Sequence, residues 1–109
     1  MSYSTLIAYP NDDDITFDID YYLKNHLPLV AKVWGPLSLK SWHAVKYDRD
    51  VSGNKPQFLV TATLVWESEE TVNAAVSSES AALIFGDIPN FTNKQPVTLA
   101  GTVLSSQGL

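Results

Sequence analysis

Four runs of β-forming residues, separated by two helical segments and one polar turn, predict an α+β chain in the order βαββαβ. Three observations carry this. Residue types alternate from Gln57 to Trp66, as in a strand. Asp18 stands as an N-cap before apolar residues at helical spacing. The turn-forming Ser52-Gly53-Asn54 joins the two middle runs as a hairpin.

The first strand is Tyr3 to Tyr9, stopped by the turn signal Pro10-Asn11. A loop to Phe17 contains the acidic run Asp12, Asp13, Asp14, expected to be solvated. The first helix spans Ile19 to about Trp34, with Asp20 favourable to its dipole and Gly35-Pro36 ending it. Its apolar stripe is Ile19, Tyr22, Leu23, His26, Val30 and Val33. Pro28 cannot donate to the carbonyl of Lys24, so a kink or widened turn is expected beside His26. Strands follow at Leu37 to Tyr47 and Gln57 to Trp66. Ser68 caps a second helix from Glu69 to Val76, and another helical turn or two from Ser78 to Phe85 ends at Gly86. Ile88 to Phe91 reads as a loop and Pro96 to Ser105 as the last strand. This order is the split βαβ, or ferredoxin-like, arrangement: an antiparallel four-stranded sheet with two helices on one face.

Composition narrows the function classes. A 109-residue chain that is 45% hydrophobic can bury one continuous core, so a single domain over residues 1–109 is expected. The formal net charge of -5, with seven scattered basic residues, points away from nucleic acid. Without cysteine there is no disulfide, thiolate nucleophile or Cys-containing metal site. With no run of 18 apolar residues and no signal-peptide pattern, the expectation is a cytoplasmic protein with no membrane partner.

In the third strand Phe58, Val60, Ala62, Leu64 and Trp66 share one face, and Leu59, Thr61, Thr63 and Val65 share the other. Neither carries a charge. Thr98, Ala100, Thr102 and Leu104 are expected to extend the second, charge-free face in the last strand. Such a face is most simply buried against a second copy, which predicts a homodimer; a monomer with a mildly polar outer face is the alternative.

Two longer motifs carry a resemblance. Tyr9-Pro10, Phe17-Asp18-Ile19-Asp20-Tyr21-Tyr22-Leu23, His26-Leu27-Pro28-Leu29-Val30 and Trp34-Gly35 resemble the N-terminal signature of the EthD family. Phe85-Gly86-Asp87-Ile88-Pro89-Asn90-Phe91-Thr92-Asn93, followed by Pro96, resembles its closing motif. The resemblance spans nearly the whole chain and implies a dimeric α+β barrel, with a cleft between sheet and helices in each subunit. Relatives of that architecture include cofactor-independent monooxygenases, muconolactone isomerases, polyketide cyclases and fungal dehydratases of aromatic polyketides, so the fold does not fix the chemistry.

His26 is the first catalytic candidate, because it lies in line with Tyr22 and Val30 on the inward stripe and titrates near ~6.5 when unperturbed. The disturbed turn at Pro28 would free a carbonyl to accept from its ring. A core histidine satisfied by a neighbour is the other reading. Tyr22 shares the face of His26 and is the second catalytic candidate; Tyr21 points about 100° away. For substrate binding the candidates are the aromatic walls Trp34, Trp66, Phe85 and Phe91, with His43 of the second strand and with Asp87 and Asn90 at the cleft mouth. Trp42 is a further possible wall. A metal site of His26, His43 and a carboxylate has no supporting spacing, so none is assigned. Phosphate-binding and dinucleotide-binding glycine motifs are missing from the sequence, and no cofactor is expected. Some cyclases of this fold pair a histidine late in the second helix with a tyrosine of the first. Here that stretch reads Ser80-Ala81-Ala82-Leu83, so that dyad is not reproduced.

The functional expectation is a cofactor-independent enzyme acting on an aromatic or polyketide-like compound by His-mediated proton transfer, of dehydratase, isomerase or monooxygenase type. The alternative is a non-catalytic accessory protein that binds a hydrophobic metabolite.

Overall fold

The computed structural model describes residues 2–108. Strands β1 (Tyr3–Pro10), β2 (Leu39–Lys46), β3 (Phe58–Trp66) and β4 (Val97–Thr102) form one antiparallel sheet in the order β2-β3-β1-β4. Between β1 and β2 run α1 (Ile19–Tyr21), a π-helical turn (Tyr22–His26), α2 (Leu27–Trp34) and a 3-10 turn (Gly35–Leu37). Between β3 and β4 run α3 (Glu69–Ser77), α4 (Ala81–Phe85) and a 3-10 turn (Ile88–Asn90). The ferredoxin-like α+β fold expected from the sequence is therefore the fold observed.

Both helix starts follow from their caps. The Asp18 side chain accepts from the Tyr21 amide, and Ser68 forms a reciprocal capping box with Thr71. The disturbance foreseen at Pro28 is the π turn: the Leu27 N–H donates five residues back, to the Tyr22 carbonyl. The extra residue re-phases the helix. Tyr22, His26, Leu27, Val30 and Trp34 are buried, whereas Leu23, expected on the stripe, is 54% exposed. Ile88–Asn90, expected as a loop, winds into a 3-10 turn. The acidic run is exposed, as expected, and forms surface ion pairs: Lys94 with Asp12 and Asp14, and Lys55 with Asp13.

Two hydrophobic clusters lie on the helix side of the sheet. One cluster joins Val30 and Trp34 of α2 to Ala62, Leu64 and Trp66 of β3 and to Val72, Ala75, Ala81 and Ile84 of α3 and α4. A second joins Tyr9, Tyr22, Leu27, Val60, Ile88 and Phe91. Alternation in β3 is as expected from Val60 onward. At its entry the register shifts beside Pro10, and Leu59, expected on the outer face, packs with the Tyr9 cluster.

The register corrects one assignment in β4. Thr98 pairs with Ile7, which pairs with Ala62, and Ala100 likewise stands level with Thr5 and Leu64. Thr98, Ala100 and Thr102 therefore lie on the helix side, and Leu104 lies beyond the strand. Alternation within one strand gives two faces but not which of them meets the helices. The outer face consists instead of Ser41, His43 and Val45, then Thr61, Thr63 and Val65, then Ser4, Leu6 and Ala8, then Val97, Leu99 and Gly101. The side chains that the four strands place there are still uncharged.

Candidate functional site

The two motifs of the sequence meet in space. Asp18 N–H donates to the Phe91 carbonyl (2.8 Å), Phe17 bridges to Thr92, and the Thr92 hydroxyl donates to the Thr16 carbonyl (2.7 Å). Asn93 closes the same seam through Thr16 and Asp14. The segment after α4 is thus clipped against the start of α1. Gly86 ends α4 so tightly that an added Cβ would stand 2.8 Å from the Ala82 carbonyl oxygen. The next residue, Asp87, is thereby aimed at the π turn.

There Asp87 Oδ2 accepts from His26 Nδ1 at 2.9 Å. Its other oxygen accepts from the Tyr21 hydroxyl (2.6 Å) and from the Asn90 side-chain amide (3.0 Å). Burial alone would raise the Asp87 pKa, but the donors of Tyr21, Asn90 and His26 together hold it below the usual carboxylate range. An ionised carboxylate only accepts, so the proton of neutral His26 sits on Nδ1. Burial pushes the His26 pKa below its ordinary value, against the opposing pull of Asp87. Nε2 is then an unprotonated acceptor on the opposite edge of the ring.

The His26 ring is fixed by stacking on Tyr22 (centroids 5.7 Å apart, planes 16° apart) and by Phe91 at 4.5 Å. It lines a cavity between sheet and helices whose wall is almost entirely apolar, with about 50 Å³ of free volume. Tyr9, Tyr22, Trp34, Trp42, Ile84 and Phe85 contribute to that wall. Burial raises the pKa of both Tyr9 and Tyr22, so each hydroxyl is held as a neutral donor. A larger cleft of about 430 Å³ adjoins it beneath β4, sharing Ile7, Trp34, Phe85 and Thr98. An aligned base, neutral phenols and a dry wall are an arrangement suited to moving a proton on an apolar molecule.

Of the residues singled out from sequence, His26, Tyr22, Trp34, Trp42 and Phe85 meet in this cavity. Phe91 packs on the His26 ring instead of lining the space. Asp87 and Asn90, expected at a cleft mouth, stand behind His26 instead: Asp87 holds its ring and Asn90 donates to Asp87. The carbonyl expected near Pro28 is not the partner of the ring; the Asp87 carboxylate is. Trp66 is fully buried, donates to Thr5 Oγ1 (3.1 Å), and belongs to the wall of the adjoining cleft. His43, opposite Thr63, faces away from His26 across the sheet. No metal site can join the two histidines.

Sequence reasoning passed over Tyr9 and Tyr21. Tyr9 was legible, since it alternates with Ile7 on the helix-side face of β1. Tyr21 was set aside because it points off the stripe, yet that orientation is what brings its hydroxyl to Asp87.

No protein-family model and no curated protein matches the chain. Solved structures match it throughout. An EthD-like protein from Ralstonia eutropha JMP134 superposes with a TM-score of 0.86 at 27% identity, covering 97% of this chain and 95% of its own. An ethyl tert-butyl ether D (EthD) family protein from Bacillus halodurans C-125 gives 0.75 at 17% identity, covering 95% of this chain and 100% of its own. A dimeric ferredoxin-like protein of unknown function from Jannaschia sp. CCS1 gives 0.65 at 10% identity, covering 94% and 98%. Among the described residues no helix is long and apolar enough to cross a membrane.

Proposed function

From the premise that the chain is EthD-like in structure, we propose that it is a cofactor-independent enzyme that moves a proton on a small, largely apolar aromatic or polyketide-like ketone. The observation that carries this reading is the 2.9 Å contact between His26 Nδ1 and Asp87 Oδ2, which leaves Nε2 as the base beside the cavity. Nε2 takes a proton from the carbon next to the carbonyl, and the electron pair of that C–H bond moves onto the carbonyl oxygen as an enolate. Tyr22 orients the substrate and, as a neutral donor, stabilises that oxygen. Asp87 stabilises the imidazolium so formed. Where a double bond extends the enolate, returning the proton at its far carbon is an isomerisation; where the β-carbon carries a hydroxyl, delivering the proton to it as it departs is a dehydration. Trp34 and Phe85 flank the substrate.

Deuterium exchange tests this directly. Enolisable aryl ketones in deuterium oxide should exchange their acidic C–H with wild-type protein and not above background with His26→Asn. Equal exchange by both proteins removes His26 from the reaction.

A second reading is a non-catalytic binding module for a hydrophobic metabolite. The almost entirely apolar wall of the cavity favours it, since holding a hydrophobic molecule there needs no base. It predicts saturable binding without exchange.

The working unit is a homodimer with the outer sheet faces packed together. Support comes from the uncharged strand residues of that face and from the neighbours from Jannaschia and Thermobifida fusca, which are dimeric ferredoxin-like proteins.

A further inference from the structure

The indole nitrogen of Trp34 is buried and, among the described residues, is the buried side-chain donor or acceptor without a hydrogen-bond partner. Its neighbour shows the contrast. Trp66, whose ring centroid is 5.4 Å away, is buried to the same degree and has an acceptor supplied by Thr5. Packing therefore does not prevent an indole in this core from being paired. Folded proteins pair nearly all buried donors, because an unpaired one forfeits its hydration without return; exceptions tend to be completed by something the chain itself does not supply.

Trp34 also occupies a particular place. It lies in the wall common to the His26 cavity and the cleft beneath β4. It stands eight residues after His26 on the same buried side of the helix, an axial separation of roughly 12 Å. The intervening shared wall is apolar apart from Thr98. Phe85, packed edge-on against Trp34 at 5.9 Å and 46% exposed, separates the small cavity from the larger cleft.

We propose that the Trp34 indole N–H is a second polar anchor of the ligand site, donating to an acceptor oxygen remote from the carbon that faces His26. The ligand class is accordingly an extended apolar ketone with a second carbonyl-type oxygen at its far end, its body lying across Phe85 into the cleft. Trp34 is a positioning and specificity residue, not a catalytic one. The inference rests on the cavity being the ligand site proposed above, but not on catalysis there.

The test uses an acetyl-substituted tetralone and its isopropenyl twin, in which one remote oxygen is replaced by a methylene of similar shape. Both retain the ring ketone. Wild type is expected to bind the acetyl compound about tenfold more tightly than the twin. Trp34→Phe should bring that ratio close to one by weakening the acetyl compound alone. On wild type, the Trp34 indole proton resonance, assigned by its through-space contacts with Trp66 and Phe85, should move downfield with the acetyl compound and not with the twin. This second measurement holds even if the variant folds poorly. An unmoved indole resonance, a ratio unchanged in Trp34→Phe, or no binding of either compound to wild type overturns the anchor. Deuterium exchange at the ring ketone, compared with His26→Asn, reports separately on catalysis. A lost ratio with no exchange keeps the anchor and discards the enzyme reading.

Discussion

His26 and Asp87 are 61 positions apart in sequence, yet Nδ1 and Oδ2 stand 2.9 Å apart in the fold. Two local irregularities bring them together: a π turn that places His26 on the sheet side, and a glycine-terminated helix that delivers Asp87 to it.

Asp87→Asn keeps the size of the side chain and removes its charge. An amide can present either oxygen or nitrogen to Nδ1, so His26 is no longer held in the tautomer with a free Nε2. Exchange activity should fall about a hundredfold or more, with ligand affinity little changed. The His26 pKa should fall further, because the carboxylate that opposes desolvation is gone. Ring-nitrogen chemical shifts across a pH titration read both effects. An unaltered tautomer and rate would mean that Asp87 does not position His26.

Stability should decline in acid in two steps. His26 has a folded pKa below its ordinary 6.5, so as pH drops below that value the unfolded chain binds a proton that the folded state resists. Asp87 is also depressed, from 3.8; its contribution is present above that value and is lost as pH falls through its lower folded pKa. Chemical denaturation at a series of pH values should therefore give a plateau above about 6.5 and a fall beneath it. His26→Asn should remove the upper step and leave the acid limb. A wild-type curve that stays flat between pH 6.5 and pH 4 contradicts the direction assigned to His26.

Gly86→Ala tests how strictly the end of α4 aims Asp87. The new methyl would meet backbone, the Ala82 carbonyl oxygen at 2.8 Å, and backbone cannot rotate aside. The helix end must shift, at a cost of about 1 to 3 kcal/mol in unfolding free energy. Because Asp87 is the next residue, the His26 pKa and exchange rate should change with it, whereas an ordinary destabilising substitution in α3 would leave both alone. Ring-nitrogen shifts recorded well below the melting temperature separate the two effects.

The order of elements and the two faces of β3 are legible in the sequence because alternation and caps are local signals. Ser68, Asp18 and the run from Val60 to Trp66 each state their structure within a few residues. Pro28 announced a disturbance, but not that it would insert a residue, which is why Leu23 was placed inward and faces solvent. Similarly, His26 could be picked from its spacing, while its partner could not. Asp87 is reached only through the seam between residues 16–18 and 91–93, a contact between distant segments with no periodicity of its own. His43 and Thr98 went astray for a related reason: a strand's alternation defines two faces, and only pairing with β3 and β1 tells which one meets the helices.

The homodimer can be tested through Leu99, which is 62% exposed at the middle of β4 on the outer face and stands level with Leu6 and Thr63. Its exposure means that Leu99→Glu costs an isolated subunit little, since no packed neighbour is lost. In a two-fold dimer every substitution occurs twice, so a carboxylate on each copy would be taken out of water on a face whose strands carry no cation to pair with. Light scattering coupled to size-exclusion chromatography should give twice the chain mass, about 24 kDa, for wild type and the mass of one chain, 12.0 kDa, for Leu99→Glu. Thr102→Glu, on the helix side of the same strand, should remain dimeric and controls for added charge. If Leu99→Glu stays dimeric while Thr102→Glu dissociates, subunits associate through the helix side, and the outer face needs another explanation for its lack of charge.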